Sequence, residues 1–297
     1  MSYIIKCSKY YIILEKCDCI LIFLTVYNII IVDIFLFKIG EKMSFSMSDV
    51  ADLIRSIAGK PKKNYYTSAI VLAGGSGTRM GELETTKQML DIDGIPVVVR
   101  SLLAFESCPI IDEIIVAAKK DEIPIYKEFH KKYKLSKLKT VVPGGETRQA
   151  SVFSALRAVD EKSEFVAIHD GARCCITPEM IEITAKSAYK CGAAAAASRV
   201  SDTVKIVDKN GYIEKTIDRD TVWLVSTPQI IKTDIYRACA YSARENGLLA
   251  TDDCGLLEAH GFKIKLCDVG KDNIKITKKE DISAAKAILS KRTEEQK

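Results

Sequence analysis

The sequence predicts an α/β fold: a Rossmann-like, doubly wound, mostly parallel sheet with an inserted β-hairpin arm. Three observations carry this reading. Short apolar runs such as Ala69–Ala73 and Asp112–Ala118 alternate with segments of helical periodicity. Two of the runs end in glycine turns, Gly74-Gly75-Ser76-Gly77 and Gly144-Gly145, which places both on the strand C-terminal rim where open α/β sheets bind ligands. Between two alternating segments lies Asn210-Gly211, a strong hairpin signal that breaks the βαβ rhythm.

Composition supports a globular chain. Of 297 residues, 47% are hydrophobic and 28% charged, enough for a sizeable core. The net charge of +5 is spread along the chain without a basic block interleaved with aromatics, so nucleic acid is not an expected partner. Ten cysteines show no Cys-x-x-Cys spacing, and adjacent Cys174 and Cys175 read as local packing in a reducing cytoplasm.

The first residues differ from the rest. Cys19–Val32 is apolar except for Thr25 and Asn28, but it is shorter than the roughly 20 residues a membrane helix needs. It makes a poor signal peptide too, because Glu15 and Asp18 precede it and no small-residue cleavage site follows. We read residues 1–46 as a hydrophobic segment that is an anchor, a hydrophobic helix packed on the domain or, preferably, sequence upstream of the true start, with Met43 and Met47 at the change of composition. Residues 47–66 are expected to be a short amphipathic helix and a solvated linker, 67–291 the main domain, and 292–297 a charged tail.

Within that domain the first buried strand runs into the first glycine turn, whose backbone N–H groups are free to face an anion. Arg79 adds a fork of donors suited to phosphate, and Lys87, in Thr86-Lys87-Gln88, a second cation. Gly75-Ser76-Gly77 can be aligned with a dinucleotide fingerprint, but its third glycine would fall at Met80, and no Gly-Lys-Ser or Gly-Lys-Thr follows for a Walker loop. On its own the turn leaves a dehydrogenase, an NTPase or an unliganded turn open.

A helix follows Gly94-Ile95-Pro96 with Pro96 at its first position, and ends near Ser107. A second helix, Asp121–Leu135, is expected to bury Ile125, Phe129 and Tyr133, leaving His130 on a solvated face. After the strand Lys139–Val142 and its glycine turn, a helix presents Val152, Leu156 and Val159. The strand Phe165–Ile168 stops before His169-Asp170-Gly171-Ala172-Arg173, which places an acid one residue past the strand, as a metal or ribose ligand, beside an arginine for phosphate. Thr177-Pro178 caps a helix ending at Gly192, and Ala193–Ala197 is a small-residue strand. The arm, about residues 200–222, exposes part-apolar strands that a partner subunit would cover. Helices over Thr233–Asn246 and from Thr251-Asp252-Asp253, a strand Lys263–Val269, an extended piece Asn273–Thr277 and a last helix Lys279–Leu289 complete the chain.

Taken together, Leu72-Ala73-Gly74-Gly75-Ser76-Gly77-Thr78-Arg79-Met80, Thr86-Lys87-Gln88, Gly144–Arg148, His169–Arg173, Asp202-Thr203, Asp218-Arg219, Thr227-Pro228-Gln229, Thr251-Asp252-Asp253 and Asp272–Thr277 resemble, in this order, the 2-C-methyl-D-erythritol 4-phosphate cytidylyltransferase family over residues 67–291. The resemblance implies a reaction that joins CTP to methylerythritol phosphate with Mg²⁺ and releases pyrophosphate. It implies Arg79, Lys87 and Lys275 as the catalytic cations, with Ala73, Gly74, Gly75, Gly77, Gly145, Glu146, Ser151 and Asp170 around the nucleotide. Asp170 and Asp272 are the implied metal ligands. Thr203 and Arg219 would reach the sugar-alcohol phosphate in the other subunit of a homodimer, with Arg173, Thr227 and Thr251 completing that pocket. Departures are Thr86, where the family often has proline, and Gly171-Ala172-Arg173-Cys174 for the usual Ala-Ala-Arg-Pro. The rivals are a ribitol 5-phosphate cytidylyltransferase of the same fold, an NAD(P)-dependent dehydrogenase and a membrane-anchored binding protein. The arm sequence Asp218-Arg219-Asp220 followed by Trp223 favours the methylerythritol enzyme.

Overall fold

A computed structural model describes residues 3–7, 10–14, 65–75 and 86–295. The apolar run Cys19–Val32, the helix expected after Met47, Gly77 and Arg79 lie outside the described residues. The chain divides into two units, Met1–Lys60 and Pro61–Lys297. In the first, Tyr3–Cys7 pairs antiparallel with Tyr10–Leu14, a hairpin the sequence reading did not anticipate.

The second unit is built on a seven-stranded sheet. Its strands are β1 (Thr67–Leu72), β2 (Glu113–Ala118), β3 (Leu138–Pro143), β4 (Phe165–Asp170), β5 (Ala193–Arg199), β8 (Trp223–Lys232) and β9 (Lys265–Asp268). They are ordered β9-β5-β8-β4-β1-β2-β3, and β8 runs antiparallel to both of its neighbours while all other pairs are parallel. The strands β6 (Val204–Val207) and β7 (Ile213–Ile217) form the separate hairpin.

Alternation along β1 explains the double winding. Ala69, Val71 and Ala73 face one core with α1 (Val97–Ser107), α2 (Ile123–Lys132) and α4 (Pro178–Cys191). Ile70 and Leu72 face the other, with α3 (Arg148–Leu156), α5 (Thr233–Glu245) and α6 (Asp253–Glu258). Every β1 side chain is buried, so a continuous apolar run is what the position demands. A third cluster, Ile92, Val97, Ala172, Cys174, Cys175, Ile276 and Ala285, seats α7 (Glu280–Glu295) beneath the rim. The six buried cysteines of this unit are free thiols; Cys191 is exposed.

Several expectations change. Strand β4 continues through His169 and Asp170, whose partners Val71 and Leu72 on β1 extend the ladder, so the acid ends the strand rather than following it. In α2 the buried residue is Tyr126, while Ile125 is exposed and Phe129 half-buried. Pro96 sits one position outside α1. The Asn210-Gly211 connection is wider than a two-residue turn, because the Asp208 carboxylate accepts from the N–H groups of both Asn210 and Tyr212. Pro228 lies inside β8, where it is tolerated because pairing to β5 breaks between Val225 and Gln229. The extended piece Asn273–Thr277 joins no sheet and is tied by Ile276 N–H to Ala172 O. The helix α7 outruns Leu289 into the expected tail, where Arg292 donates to the carbonyl of Cys175 at 2.6 Å.

Candidate active site

The rim is assembled by four backbone ties. Ala73 N–H donates to Ala117 O at 2.7 Å and Gly144 N–H to Ala118 O at 2.8 Å, bringing the two glycine turns together over the end of β2. Gly171 N–H donates to Leu72 O at 2.9 Å, and Ile276 N–H to Ala172 O at 2.8 Å, joining the 273–277 segment to the end of β4. A side chain at Gly171 would place its Cβ 2.9 Å from Leu72 O, so only glycine lets the chain leave β4 so close to β1. At Gly145 a Cβ would lie 2.5 Å from that of Ala150 at the start of α3.

The second turn is held by α3. Thr147 caps that helix by accepting from Ala150 N–H at 3.0 Å, and Ser151 Oγ accepts from Gly145 N–H at 3.0 Å. Ser151 is therefore buried inside the turn as its clasp, whereas Glu146 is exposed at the edge. On the first turn Gly74 and Gly75 are described; the Lys87 side chain lies across Gly75, with Cε 4.0 Å from where a Cβ would be.

Asp170 is the electrostatic centre. Lys275 Nζ lies 2.7 Å from Oδ2, Arg148 Nε 3.4 Å from Oδ1 and Arg173 Nε 3.9 Å from Oδ2. Burial alone would raise its pKa, but Arg148 and Lys275 outweigh that and hold the carboxylate well below its usual range. Arg148 is matched by its own partner Asp253 at 2.6 Å, so Lys275 and Arg173 against the single carboxylate of Asp170 leave surplus positive charge on the rim, an arrangement suited to a polyphosphate.

The surrounding polar groups fix this cluster. Arg173 donates to Asn273 O at 2.8 Å, and Asn273 Nδ2 donates to Thr227 O at 2.7 Å. Thr227 is buried, and its hydroxyl accepts from Asp170 N–H at 3.0 Å and lies 3.1 Å from His169 Nδ1. His169 Nε2 faces the Arg173 carbonyl at 3.4 Å, so the neutral ring donates there and accepts from Thr227. Burial pushes the His169 pKa down to about 3, which agrees with a packing residue and not a base.

The sequence reading placed Asp272 beside Asp170 as a metal ligand. In the structure Asp272 is exposed and faces Arg292 at 3.5 Å. Among the described residues, no three His, Cys, Asp or Glu side chains gather to hold a metal. Thr251 is exposed beside α6, Thr203 is exposed on the arm, and exposed Arg219 donates to Ser201 O at 2.9 Å. The sequence reading also missed a buried support: Arg148 donates to Asp253 Oδ2 at 2.6 Å and Tyr236 OH to Asp253 Oδ1 at 2.6 Å. Burial disfavours the charged arginine, but Asp253 reverses this and raises its pKa. The only local hint was an acid, Asp253, in the first turn of a short helix behind the Asp252 cap, which does not name its partners.

Comparison with known proteins follows the same residues. The family model described as 2-C-methyl-D-erythritol 4-phosphate cytidylyltransferase matches residues 67–291. A curated 2-C-methyl-D-erythritol 4-phosphate cytidylyltransferase of Clostridium acetobutylicum is 41% identical over 224 residues, covering 75% of this chain and 97% of that protein. The corresponding protein of Desulforamulus reducens is 40% identical over 225 residues, covering 75% and 96%. The crystal structure of a 4-diphosphocytidyl-2C-methyl-D-erythritol synthase from Anaerococcus prevotii superposes with a TM-score of 0.67 at 33% identity, covering 76% of this chain and 99% of that one.

Proposed function

This chain belongs to the 2-C-methyl-D-erythritol 4-phosphate cytidylyltransferase family, and from that premise we propose how its rim carries out cytidylyl transfer from CTP to methylerythritol phosphate. It is a nucleotidyltransferase, and the ribitol phosphate reading is not favoured. The observation that carries the residue-level reading is the convergence of Lys275 and Arg173 on Asp170 at the end of β4.

In the reaction a phosphate oxygen of the acceptor attacks the α-phosphorus of CTP in line and pyrophosphate leaves. Charge grows on the equatorial oxygens and on the leaving group, so catalysis calls for cations and N–H donors set in advance rather than a strong base. Backbone at Ala73–Gly75 and Gly145 cradles the nucleotide, with Glu146 beside it and Ser151 holding the second turn in place; Gly77 is assigned to the same nucleotide by the family resemblance. Lys87 and Arg79 take the leaving group's charge, and Lys275 shifts from Asp170 to the α-phosphate as the nucleotide arrives. Mg²⁺ fits this rim as an ion carried mainly by the phosphates, a habit that needs only one or two protein carboxylates. Asp170 would hold it, and it would neutralise charge on the triphosphate.

Arg173, Thr203, Arg219 and Thr251 line the acceptor side. The arm exposes Ile206, Val207 and Ile213, at 45%, 50% and 64%, which a second copy of the chain would cover in a homodimer. No helix among the described residues is long and apolar enough to cross a membrane; we place the enzyme in the cytoplasm, where its buried thiols stay reduced.

The test is pyrophosphate release from CTP with methylerythritol phosphate and, separately, with ribitol 5-phosphate. Release with the first and not the second is expected. Release only with ribitol phosphate would change the acceptor, and release with neither would overturn the function.

A further inference from the structure

Arg148 stands between two carboxylates and binds Asp253 more closely than Asp170. Its NH2 lies 2.6 Å from Asp253 Oδ2, within the range of a charge-assisted bond, whereas its Nε is 3.4 Å from Asp170 Oδ1. Asp253 is 2% exposed and Tyr236 1% exposed, and the tyrosine hydroxyl occupies Asp253 Oδ1 at 2.6 Å. The acid is thus saturated in place, with one oxygen turned to Tyr236 and the other to Arg148.

Asp253 also cannot follow Arg148 towards the rim. The start of α6 is clamped to β8 through Gln229: its Nε2 donates to Asp252 Oδ2 at 2.8 Å and its Oε1 accepts from Cys254 N–H at 2.9 Å. Asp252 in turn caps the helix by accepting from Gly255 N–H at 2.8 Å. The residues on either side of Asp253 are therefore tied to the sheet, and the acid is an immovable counter-charge.

We infer that Asp253, fixed by Tyr236 and by the Gln229 clamp, is a positioning residue that holds Arg148 back from Asp170 and so keeps Asp170 open to an incoming nucleotide. The inference rests on the reading of Asp170 as a nucleotide-side ligand. Without Asp253, the buried guanidinium has one carboxylate left within reach and closes on it. Asp170 would then be bracketed by Arg148 and Lys275 in tight ion pairs, and a nucleotide would have to break both.

The test uses the full-length protein with Asp253→Asn, Arg148→Met and the double variant. In a crystal structure of Asp253→Asn without nucleotide, the Arg148 to Asp170 separation should shorten from 3.4 Å to about 2.8 Å. That readout needs no substrate and is independent of the proposed activity. By calorimetry, CTP should bind Asp253→Asn about tenfold more weakly than wild type, a loss of the size expected when one partner of a buried pair is removed. The KM for CTP should rise with it and kcat should stay within about threefold. The double variant should bind CTP within about threefold of wild type, because the guanidinium that blocks Asp170 is gone and both buried charges are removed together. Should Asp253→Asn fail to fold, the double variant alone decides: CTP binding about tenfold or more below wild type overturns the proposal. An unchanged Arg148 to Asp170 separation, or CTP losses that simply add in the double variant, overturns it too. Wild-type protein that binds no CTP would overturn the functional reading, while the separation in Asp253→Asn would still decide whether Asp253 restrains Arg148.

Discussion

Lys275 Nζ and Asp170 Oδ2 meet at 2.7 Å although they are 105 positions apart in the chain. The lysine comes from an irregular segment that is pinned by Ile276 to the turn after β4, so its reach is fixed by backbone and not by its own flexible stem. Removing it should leave the fold intact, since the side chain is one-third exposed, and should lower kcat about 100- to 1,000-fold, as loss of a preset donor to a developing charge does. The same is expected of Lys87→Ala and Arg79→Ala. Steady-state kinetics with a thermal melt beside each variant checks this; turnover near wild type in any of them removes that residue from the mechanism.

Gly145→Ala tests the second turn. Its new Cβ would lie 2.5 Å from Ala150 Cβ, so either the turn or the first residues of α3 must move. The overpacking should cost about 1–3 kcal/mol of stability, and the shifted turn should weaken CTP binding about tenfold. Denaturant melts and calorimetry give the two numbers separately, and a variant that binds CTP normally would show that this turn does not serve the nucleotide.

How much of this was legible beforehand differs by residue. The two glycine turns could be placed because apolar runs ending in glycine fix both the strand and its rim. Double winding followed from strand and helix alternation alone. Strand β8 was hidden by Pro228, since only the broken pairing beside Val225 lets a proline sit there. Tyr126 was hidden because helical spacing marked Ile125, Phe129 and Tyr133 equally well, and which face meets the sheet is a tertiary matter. The Arg148 to Asp253 pair spans 105 positions and the Tyr236 to Asp253 bond crosses two helices, so no local pattern could join them. The partner of Asp272 was hidden for a similar reason: α7 runs past its expected end and carries Arg292 to it.

Acid should destabilise the enzyme earlier than carboxylates alone would. His169 is fully buried and its pKa falls from an ordinary 6.5 to about 3. Between those values the unfolded chain binds a proton that the folded chain refuses. Stability from this residue is therefore complete above about pH 6.5 and declines by about 1.4 kcal/mol per pH unit as pH falls towards 3. Asp170, whose pKa is depressed, adds a loss in the same direction at lower pH. Urea midpoints at pH 7 and pH 5 should differ for wild type and much less for His169→Gln; equal slopes would show that His169 is not the group responsible.

Arg219 on the arm separates acceptor binding from nucleotide binding. Its guanidinium is exposed and tied only to Ser201 O at 2.9 Å among the described contacts. Arg219→Ala should raise KM for methylerythritol phosphate roughly 10- to 100-fold, the worth of a charged hydrogen bond, and leave KM for CTP nearly unchanged. In parallel, Ile213→Asp should convert the proposed dimer to monomer by sedimentation. A dimer that survives this change would move the interface off the arm.

Thr86 replaces the proline that the family often has before its lysine, and the structure gives it a different means of holding the segment. Thr86 Oγ1 donates to Glu122 Oε1 at 2.7 Å, and Glu122, just ahead of α2, is buried, its Oε2 without a hydrogen-bond partner among the described residues. Burial raises the Glu122 pKa, so the Thr86 hydroxyl is the contact that favours its ionised form most. A proline would restrict the backbone before Lys87 by fixing φ; the threonine restricts it by a bond to a helix end. Thr86→Val should therefore lower kcat about three- to tenfold with little change in KM for CTP, a loss of about one hydrogen bond, and Thr86→Pro should recover most of the rate. Full turnover in Thr86→Val would show that Lys87 is held by other contacts, and a Thr86→Pro variant as slow as Thr86→Val would show that the bond to Glu122 does more than stiffen the chain.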